Sequence, residues 1–158
     1  MEIRTLTVDD AGEWLRLRLE ALKGDPEAFG ASFEEYQSLS LEDVKKRLWS
    51  SDDAFVMGAF EDDRLAGMAG FYRDRGLKTR HKAHIWGVYL TPAKRAKGFG
   101  RSLLRSLLER AAKVEGVEQI LLTVATPQAA AVGLYRSLGF RSFGCEPRAA
   151  ASWWQMDR

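Results

Sequence analysis

Apolar residues recur along the chain at two spacings: alternate positions in some stretches, every third or fourth position in others. Residues 2–6 alternate between apolar and polar and predict a first strand. A helix is predicted next, with an apolar side formed by Trp14, Leu15, Leu19 and Leu22. Gly24-Asp25-Pro26 ends this helix, and a second helix is predicted after a cap at Ser40.

The middle of the chain predicts three consecutive strands. Residues 54–60 and 65–73 are joined by the polar turn at 61–64. The run at 84–92 is rich in β-branched and aromatic residues, and Pro92 stops it. Because the links between these strands are short, we expect them to form an antiparallel meander.

The last third of the chain predicts two more helices and the end of the sheet. One helix has an apolar face formed by Leu103, Leu104, Leu107, Leu108 and Ala111. The apolar run at 120–124 predicts an interior strand, a helix follows Gln128, and strands at 139–145 and 152–156 close the sheet. The order β-α-α-β-β-β-α-β-α-β predicts an α/β (α+β) fold, a mixed, mostly antiparallel sheet with helices on both faces.

The turn between the third meander strand and the next helix carries the most informative residues. It is Arg95-Ala96-Lys97-Gly98-Phe99-Gly100, followed by Arg101. Two glycines allow a ligand to approach the backbone, the helix start offers unpaired N–H groups, and three cations add positive charge. The segment therefore predicts a site for an anion that carries several phosphates.

The spacing of these glycines decides between phosphate ligands. The Gly-x-x-x-x-Gly-Lys-Ser/Thr loop of nucleotide triphosphatases occurs nowhere in the chain, and the third glycine of a dinucleotide fingerprint is replaced by Leu103. The turn fits Arg/Gln-x-x-Gly-x-Gly/Ala instead and resembles the GNAT superfamily of acyl-CoA-dependent N-acetyltransferases. A second segment, Gln128 to Phe140, resembles that family's Asn-x-x-Ala-x-x-Leu-Tyr-x-x-x-Gly-Phe helix, with Gln128 replacing the asparagine.

The resemblance implies a cofactor, acetyl-CoA, and a place for it. The amides of the turn from Arg95 to Arg101 would hold the pyrophosphate, and Gln128 would make a further coenzyme contact. The fourth and fifth strands of that fold splay apart, which implies that the main chain of Val88, Tyr89 and Leu90 binds the pantetheine arm.

Composition and charge narrow the class of protein. With 158 residues and 46% hydrophobic residues we expect one domain, 1–158. No long apolar stretch or leader pattern is present, so we expect a cytoplasmic protein that does not bind membranes. The formal net charge of +2 predicts no general affinity for nucleic acid. Cys145 is the single cysteine and the chain has two histidines, so we expect no metal site.

Acyl transfer to an amine needs a proton donor for the leaving thiolate and a base for the amine. The resemblance places Tyr135 near the thioester sulfur as the donor, although core packing explains a tyrosine there equally simply. His84 is the candidate base, since strand alternation puts it on one face with Trp86 and Val88. Glu34 and Glu35 are alternatives, as is a chain of waters.

Several aromatic and acidic residues are candidates for binding the acceptor amine. Phe29, Phe33 and Tyr36 lie at helical spacing and either line an acceptor pocket or form a core stripe. Glu34 and Trp86 are further candidate acceptor contacts. Trp153 and Trp154 cannot share one side of a strand, so one of them edges a pocket or a dimer contact, or is buried.

We therefore interpret the chain as an acetyl-CoA-dependent N-acetyltransferase in which a primary amine attacks directly within a ternary complex. The acceptor is a small-molecule or peptide amine: a polyamine, an antibiotic, an amino acid or a protein terminus. A homodimer is compatible with the sequence. The alternative hypothesis is a catalytically inactive acyl-CoA-binding sensor or regulatory domain.

Overall fold

The computed structural model describes residues 1–24, 32–124 and 128–145, and within them five strands form one sheet with helices on both faces. The strands are β1 (Glu2–Thr5), β2 (Ala54–Glu61), β3 (Arg64–Arg73), β4 (Lys82–Leu90) and β5 (Gln119–Leu121). The helices are α1 (Ala11–Gly24), α2 (Phe33–Gln37), α3 (Leu41–Arg47), α4 (Phe99–Ala111) and α5 (Ala129–Ser137). Of the helices in these ranges, none has the length and apolarity needed to cross a membrane.

The sheet runs β1-β2-β3-β4-β5, antiparallel except for its last pair. Strands β4 and β5 are parallel, and their pairing begins at Lys82↔Gln119 and ends at His84↔Leu121. Beyond His84, β4 continues to Leu90 without β5 beside it. The predicted mixed, mostly antiparallel sheet is confirmed, and its two parallel strands separate early.

Each face of the sheet has its own core because β2, β3 and β4 bury side chains on both sides. The α1-side core packs α1 and α3 onto Val56, Met68 and Tyr89. The α4-side core packs α4 and Tyr135 of α5 onto Phe55, Phe71 and Ile85. Alternation along the strands therefore sorts the apolar side chains between two separate cores.

A β-bulge interrupts β4 at Gly87. The register passes from Gly70↔Trp86 to Met68↔Tyr89, so Gly87 and Val88 together face the single residue Ala69. Gly87 adopts φ +62°, a left-handed conformation that glycine tolerates without a steric penalty.

The bulge also reverses the alternation of side chains in β4. Trp86 and Tyr89 pack with the α1-side core, whereas Val88 packs with the α4-side core. The prediction that His84, Trp86 and Val88 share one face is therefore wrong for Val88, because the extra residue shifts every later side chain to the other face.

Other differences from the prediction lie between and after the main elements. Phe33 and Tyr36 lie in α2, a helix that was not predicted. Ser32 caps its start, because the Ser32 hydroxyl accepts the Glu35 N–H at 3.2 Å. Strand β5 ends at Leu121, earlier than predicted.

The strand predicted at 139–145 is not formed. Helix α5 is followed by Gly139 at φ +98°, and residues 141–145 are exposed and pair with no strand in the described part of the chain. The strand predicted at 152–156 lies outside the described residues, as do Phe29, Trp153 and Trp154.

The contact between Gly70 and Trp86 is tight enough to test. A Cβ on Gly70 would lie 2.3 Å from Trp86 Cε2, and the indole is also packed edge-on against Trp14. We expect Gly70→Ala to lower the free energy of unfolding by about 1–3 kcal/mol, because a rigid ring must move. Urea unfolding measures this change.

Gly12→Ala is the matched control. A Cβ there meets nothing within 4 Å, and the position lies in α1. This variant should be unchanged or more stable, by at most about 1 kcal/mol. Wild-type stability of Gly70→Ala would contradict the close approach of Trp86.

Candidate functional site

The turn that precedes α4 presents its backbone to solvent. Ala96 and Gly98 both adopt left-handed φ angles, +62° and +85°. Gly98 is the N-cap of α4 and carries no side chain that could cap the helix. No cap side chain therefore covers the first amide groups of α4. Exposed amides at a helix start are the arrangement that binds phosphate.

Two of the predicted cations are anchored beside this turn. Arg95 Nε donates to the Leu90 carbonyl at 2.8 Å, and its guanidinium carbon lies 5.3 Å from the centre of the Tyr89 ring. Arg101 Nη2 donates to the Ser137 hydroxyl at 2.7 Å. Lys97 is exposed on the same turn. Three cationic side chains therefore lie at or next to the start of α4.

The two sequence motifs meet in space although some thirty residues separate them in the chain. A Cβ on Gly100 would lie 3.6 Å from Leu134 Cδ2, and the Arg101–Ser137 hydrogen bond joins the same two helices. Gln128 directly precedes α5 as its N-cap, where its side chain makes no capping hydrogen bond. Helices α4 and α5 thus bring the glycine turn next to the segment that contains Tyr135.

The open side of β4 adjoins this turn. After His84, no strand among the described residues pairs with β4 on the β5 side, and the Gly87 bulge follows. The main chain of Val88, Tyr89 and Leu90 lies in this stretch, although the Leu90 carbonyl is already bonded to Arg95. An extended ligand could lie along this edge as an additional strand would.

Tyr135 lies in the α4-side core with 9% of its surface exposed. Its ring packs edge-on against Phe140, with the centroids 6.0 Å apart. Burial raises the pKa of the phenol to about 12, because the charged form is poorly solvated there. A phenol is protonated at neutral pH even at its ordinary pKa, and burial extends this protonated state to higher pH.

His84 lies where the β4–β5 pairing ends, and its imidazole has a carboxylate partner. Nε2 is 2.8 Å from Asp74 Oδ1, and the ring stacks on Tyr72 with the centroids 4.6 Å apart. Asp74 was missed in the sequence analysis. The hairpin register could have found it, because Arg73 pairs with Ala83 and residue 74 therefore lies diagonally across from residue 84.

The predicted acceptor contacts divide into buried and exposed groups. Phe33 and Trp86 pack together with the α1-side core, whereas Glu34 and Glu35 are exposed on α2. Tyr36 is buried and packs against Trp14, with the ring centroids 6.0 Å apart. Tyr36 is thus a core residue, and Phe33 lies at the edge of the same core.

A buried arginine was also missed in the sequence analysis. Arg18 of α1 is 4% exposed, and its guanidinium carbon lies 4.8 Å from the Tyr36 ring and 5.8 Å from the Trp86 ring. The helical period could have indicated its burial, because position 18 lies one turn from both Trp14 and Leu22.

Comparison with known proteins gives a consistent result. A model of the acetyltransferase (GNAT) family matches residues 16–140. The N-alpha-acetyltransferase RimI of Mycobacterium tuberculosis is 34% identical over 147 residues, which are 92% of this chain and 82% of that protein. Four other curated relatives, three of them mycothiol acetyltransferases, are longer, and the chain spans 36 to 42% of their length.

Solved structures share the fold. An acetyltransferase of the GNAT family from Streptococcus pneumoniae superimposes with a TM-score of 0.82 at 25% identity, covering 94% of this chain and 89% of that one. The putative acetyltransferase yncA from Salmonella typhimurium, solved with its cofactor acetyl-CoA, has a TM-score of 0.76 at 22% identity, covering 95% and 84%.

The raised pKa of Tyr135 predicts how stability depends on pH. Its folded pKa, about 12, exceeds the ordinary value near ~10, so its contribution to stability is complete below pH ~10 and is lost as pH rises toward ~12. We expect wild type to lose about 2 kcal/mol relative to Tyr135→Phe by pH 11.5. Urea unfolding of both proteins between pH 8 and pH 11.5 measures the difference. Parallel curves would contradict the burial of the hydroxyl.

Proposed function

Because this chain belongs to the acetyltransferase (GNAT) family, we propose that it transfers an acetyl group from acetyl-CoA to a primary amine by direct attack in a ternary complex. The observation that carries the proposal is the junction of α4 and α5. There an uncapped, cation-flanked helix start follows the open side of β4, and the buried, protonated Tyr135 shares the α4-side core with Val88.

The residues at this junction fit the coenzyme chemically. Gly98 offers left-handed backbone without a side chain, and Arg95, Lys97 and Arg101 supply the charge that a pyrophosphate needs. We assign the pyrophosphate to this turn and the pantetheine arm to the main chain of residues 88–90, with Gln128 as a further contact. When bound, acetyl-CoA supplies an activated thioester.

The first task of the protein is to obtain a neutral amine. For an alkyl amine with a pKa near ~10, about one molecule in a thousand is neutral at pH 7, a handicap of roughly 4 kcal/mol. We assign to His84 the role of the base that accepts the proton of the amine, directly or through one water. In the tautomer whose Nε2–H donates to Asp74, the lone pair of the imidazole resides on Nδ1. Glu34, Glu35 and a water chain are the alternatives.

The remaining tasks are to stabilise the carbonyl oxygen and to protonate the thiolate. A backbone N–H at the bulge, that of Val88 or a neighbour, would donate to the oxygen as negative charge develops. The Tyr135 hydroxyl would donate its proton to the leaving sulfur. His84 belongs to the α1 face of β4 and Tyr135 to the α4 side, so base and acid would approach the reaction from opposite faces of the sheet.

The family membership supports an amine acceptor and leaves its size open. The relatives' names include an N-alpha-acetyltransferase and mycothiol acetyltransferases. For this chain we propose a small-molecule or peptide primary amine.

Release of free thiol from acetyl-CoA tests the function directly. We expect turnover with at least one member of a panel containing polyamines, aminoglycosides, amino acids and peptides with free N-termini. We also expect acetyl-CoA to raise the melting temperature of wild type by mass action, and Gly100→Val to abolish that rise. A Cβ on Gly100 would lie at an ordinary van der Waals distance, 3.6 Å, from Leu134 Cδ2, so this variant should fold. Binding without any turnover would favour the acyl-CoA sensor, and an unchanged shift in Gly100→Val would contradict the pyrophosphate assignment.

Two variants separate the acid from the base. Tyr135→Phe keeps the ring and should bind acetyl-CoA normally while turnover falls roughly 10²-fold or more. His84→Ala should slow turnover at neutral pH and recover partly at high pH, where free amine is abundant. Rate profiles from pH 6 to 9 distinguish the two effects. Full activity of His84→Ala across this range would transfer the base role to Glu34, Glu35 or water.

A further inference from the structure

The buried guanidinium of Arg18 lies directly behind the bulge of β4. Its Nη1 is 3.3 Å, and its Cζ 3.9 Å, from where a Cβ on Gly87 would be. The side chain therefore occupies the space next to the left-handed glycine. No side chain larger than glycine could be placed at position 87 without displacing Arg18 or straining the backbone.

The bulge needs such support because it lacks a second neighbour. Gly87 and Val88 face Ala69 on one side, and no strand in the described ranges pairs with them on the other. Bulged residues leave the regular ladder of hydrogen bonds, so their orientation depends on what packs against them. On the α1 side, that neighbour is Arg18.

Arg18 is itself held in place by two rings. Its guanidinium lies over Tyr36 and beside Trp86, and Trp86 is confined between Gly70 and Trp14. Burial lowers the pKa of Arg18, while the nearby Tyr36 hydroxyl acts to raise it. A planar guanidinium can stack on aromatic rings and present its edge to a backbone, which neither lysine nor methionine can do.

We propose that Arg18 is a positioning residue that fixes the Gly87–Val88 bulge, and so sets the direction of the amide that receives the carbonyl oxygen of the thioester. This inference rests on the proposed function, since it assigns the oxyanion contact to that bulge. It adds α1 and α2 to the elements that determine the rate of the reaction.

The chain provides a matched control for this role. Arg47 of α3 also lies over the Tyr36 ring, at 5.2 Å, and donates to its hydroxyl at 3.4 Å. Arg47 therefore contacts Tyr36, whereas Arg18 lies over Tyr36 and also fills the space next to Gly87. Removing either guanidinium changes the aromatic cluster, and removing Arg18 alone releases the bulge.

The experiment compares three variants, Arg18→Met, Arg18→Lys and Arg47→Met, with wild type. For each protein it measures kcat, the KM and calorimetric affinity for acetyl-CoA, and the amide resonances of Gly87 and Val88. We expect Arg18→Met to lower kcat roughly 10- to 100-fold, because a small misplacement of a catalytic group is costly. Its KM and affinity for acetyl-CoA should change by less than about threefold, and the Gly87 and Val88 resonances should shift. Arg47→Met should keep kcat within about twofold and leave these resonances in place.

Three results would overturn the proposal: equal losses of kcat in Arg18→Met and Arg47→Met, a loss confined to acetyl-CoA affinity, or unmoved bulge resonances. If Arg18→Met does not fold, Arg18→Lys tests the proposal instead, because lysine keeps the aliphatic part of the side chain and its charge. A wild-type kcat in Arg18→Lys would contradict a positioning role. If wild type turns over no amine, the proposed function fails, and the resonances alone then test whether Arg18 holds the bulge.

Discussion

The early separation of β4 from β5 is the constraint on which the rest of the site depends. Parallel pairing stops at His84↔Leu121, and β4 runs on to Leu90 with its β5 side unpaired among the described residues. A backbone edge of this kind must find hydrogen bonds elsewhere, in water or in a ligand. The bulge at Gly87 lies within this stretch, so the most irregular backbone of the sheet is also the part open to a ligand.

Apolar packing places α4 and α5 beside this open edge. Helix α4 packs on β2 and β3 through Leu103, Leu104 and Leu107, and this packing places its uncapped start beyond the end of β4. Helix α5 then contacts α4 through Leu134 and Ser137. Apolar burial therefore fixes where the uncapped first amides of α4 and the Tyr135 hydroxyl lie relative to the open edge.

The two faces of the sheet contribute different chemistry. On the α4 side, burial keeps Tyr135 neutral. On the α1 side, the charged and titratable groups have close partners: His84 has Asp74, and Arg18 has the rings of Tyr36 and Trp86. Under the proposed function, a site at the edge between these faces would use a neutral acid from one face and a base from the other.

Local sequence determined the main elements and the glycine turn before α4. Apolar spacing identifies β2, β3, β4 and α4 because it directly reflects which face is buried, and Gly98 identifies a turn that needs left-handed backbone. The family resemblance supplied the roles of Tyr135 and the turn. Only the tertiary structure decided that Val88 faces the α4 side, that Asp74 holds His84, and that Arg18 lies behind Gly87. These features depend on strand register and on contacts between residues far apart in the chain, and no spacing within a single element encodes them.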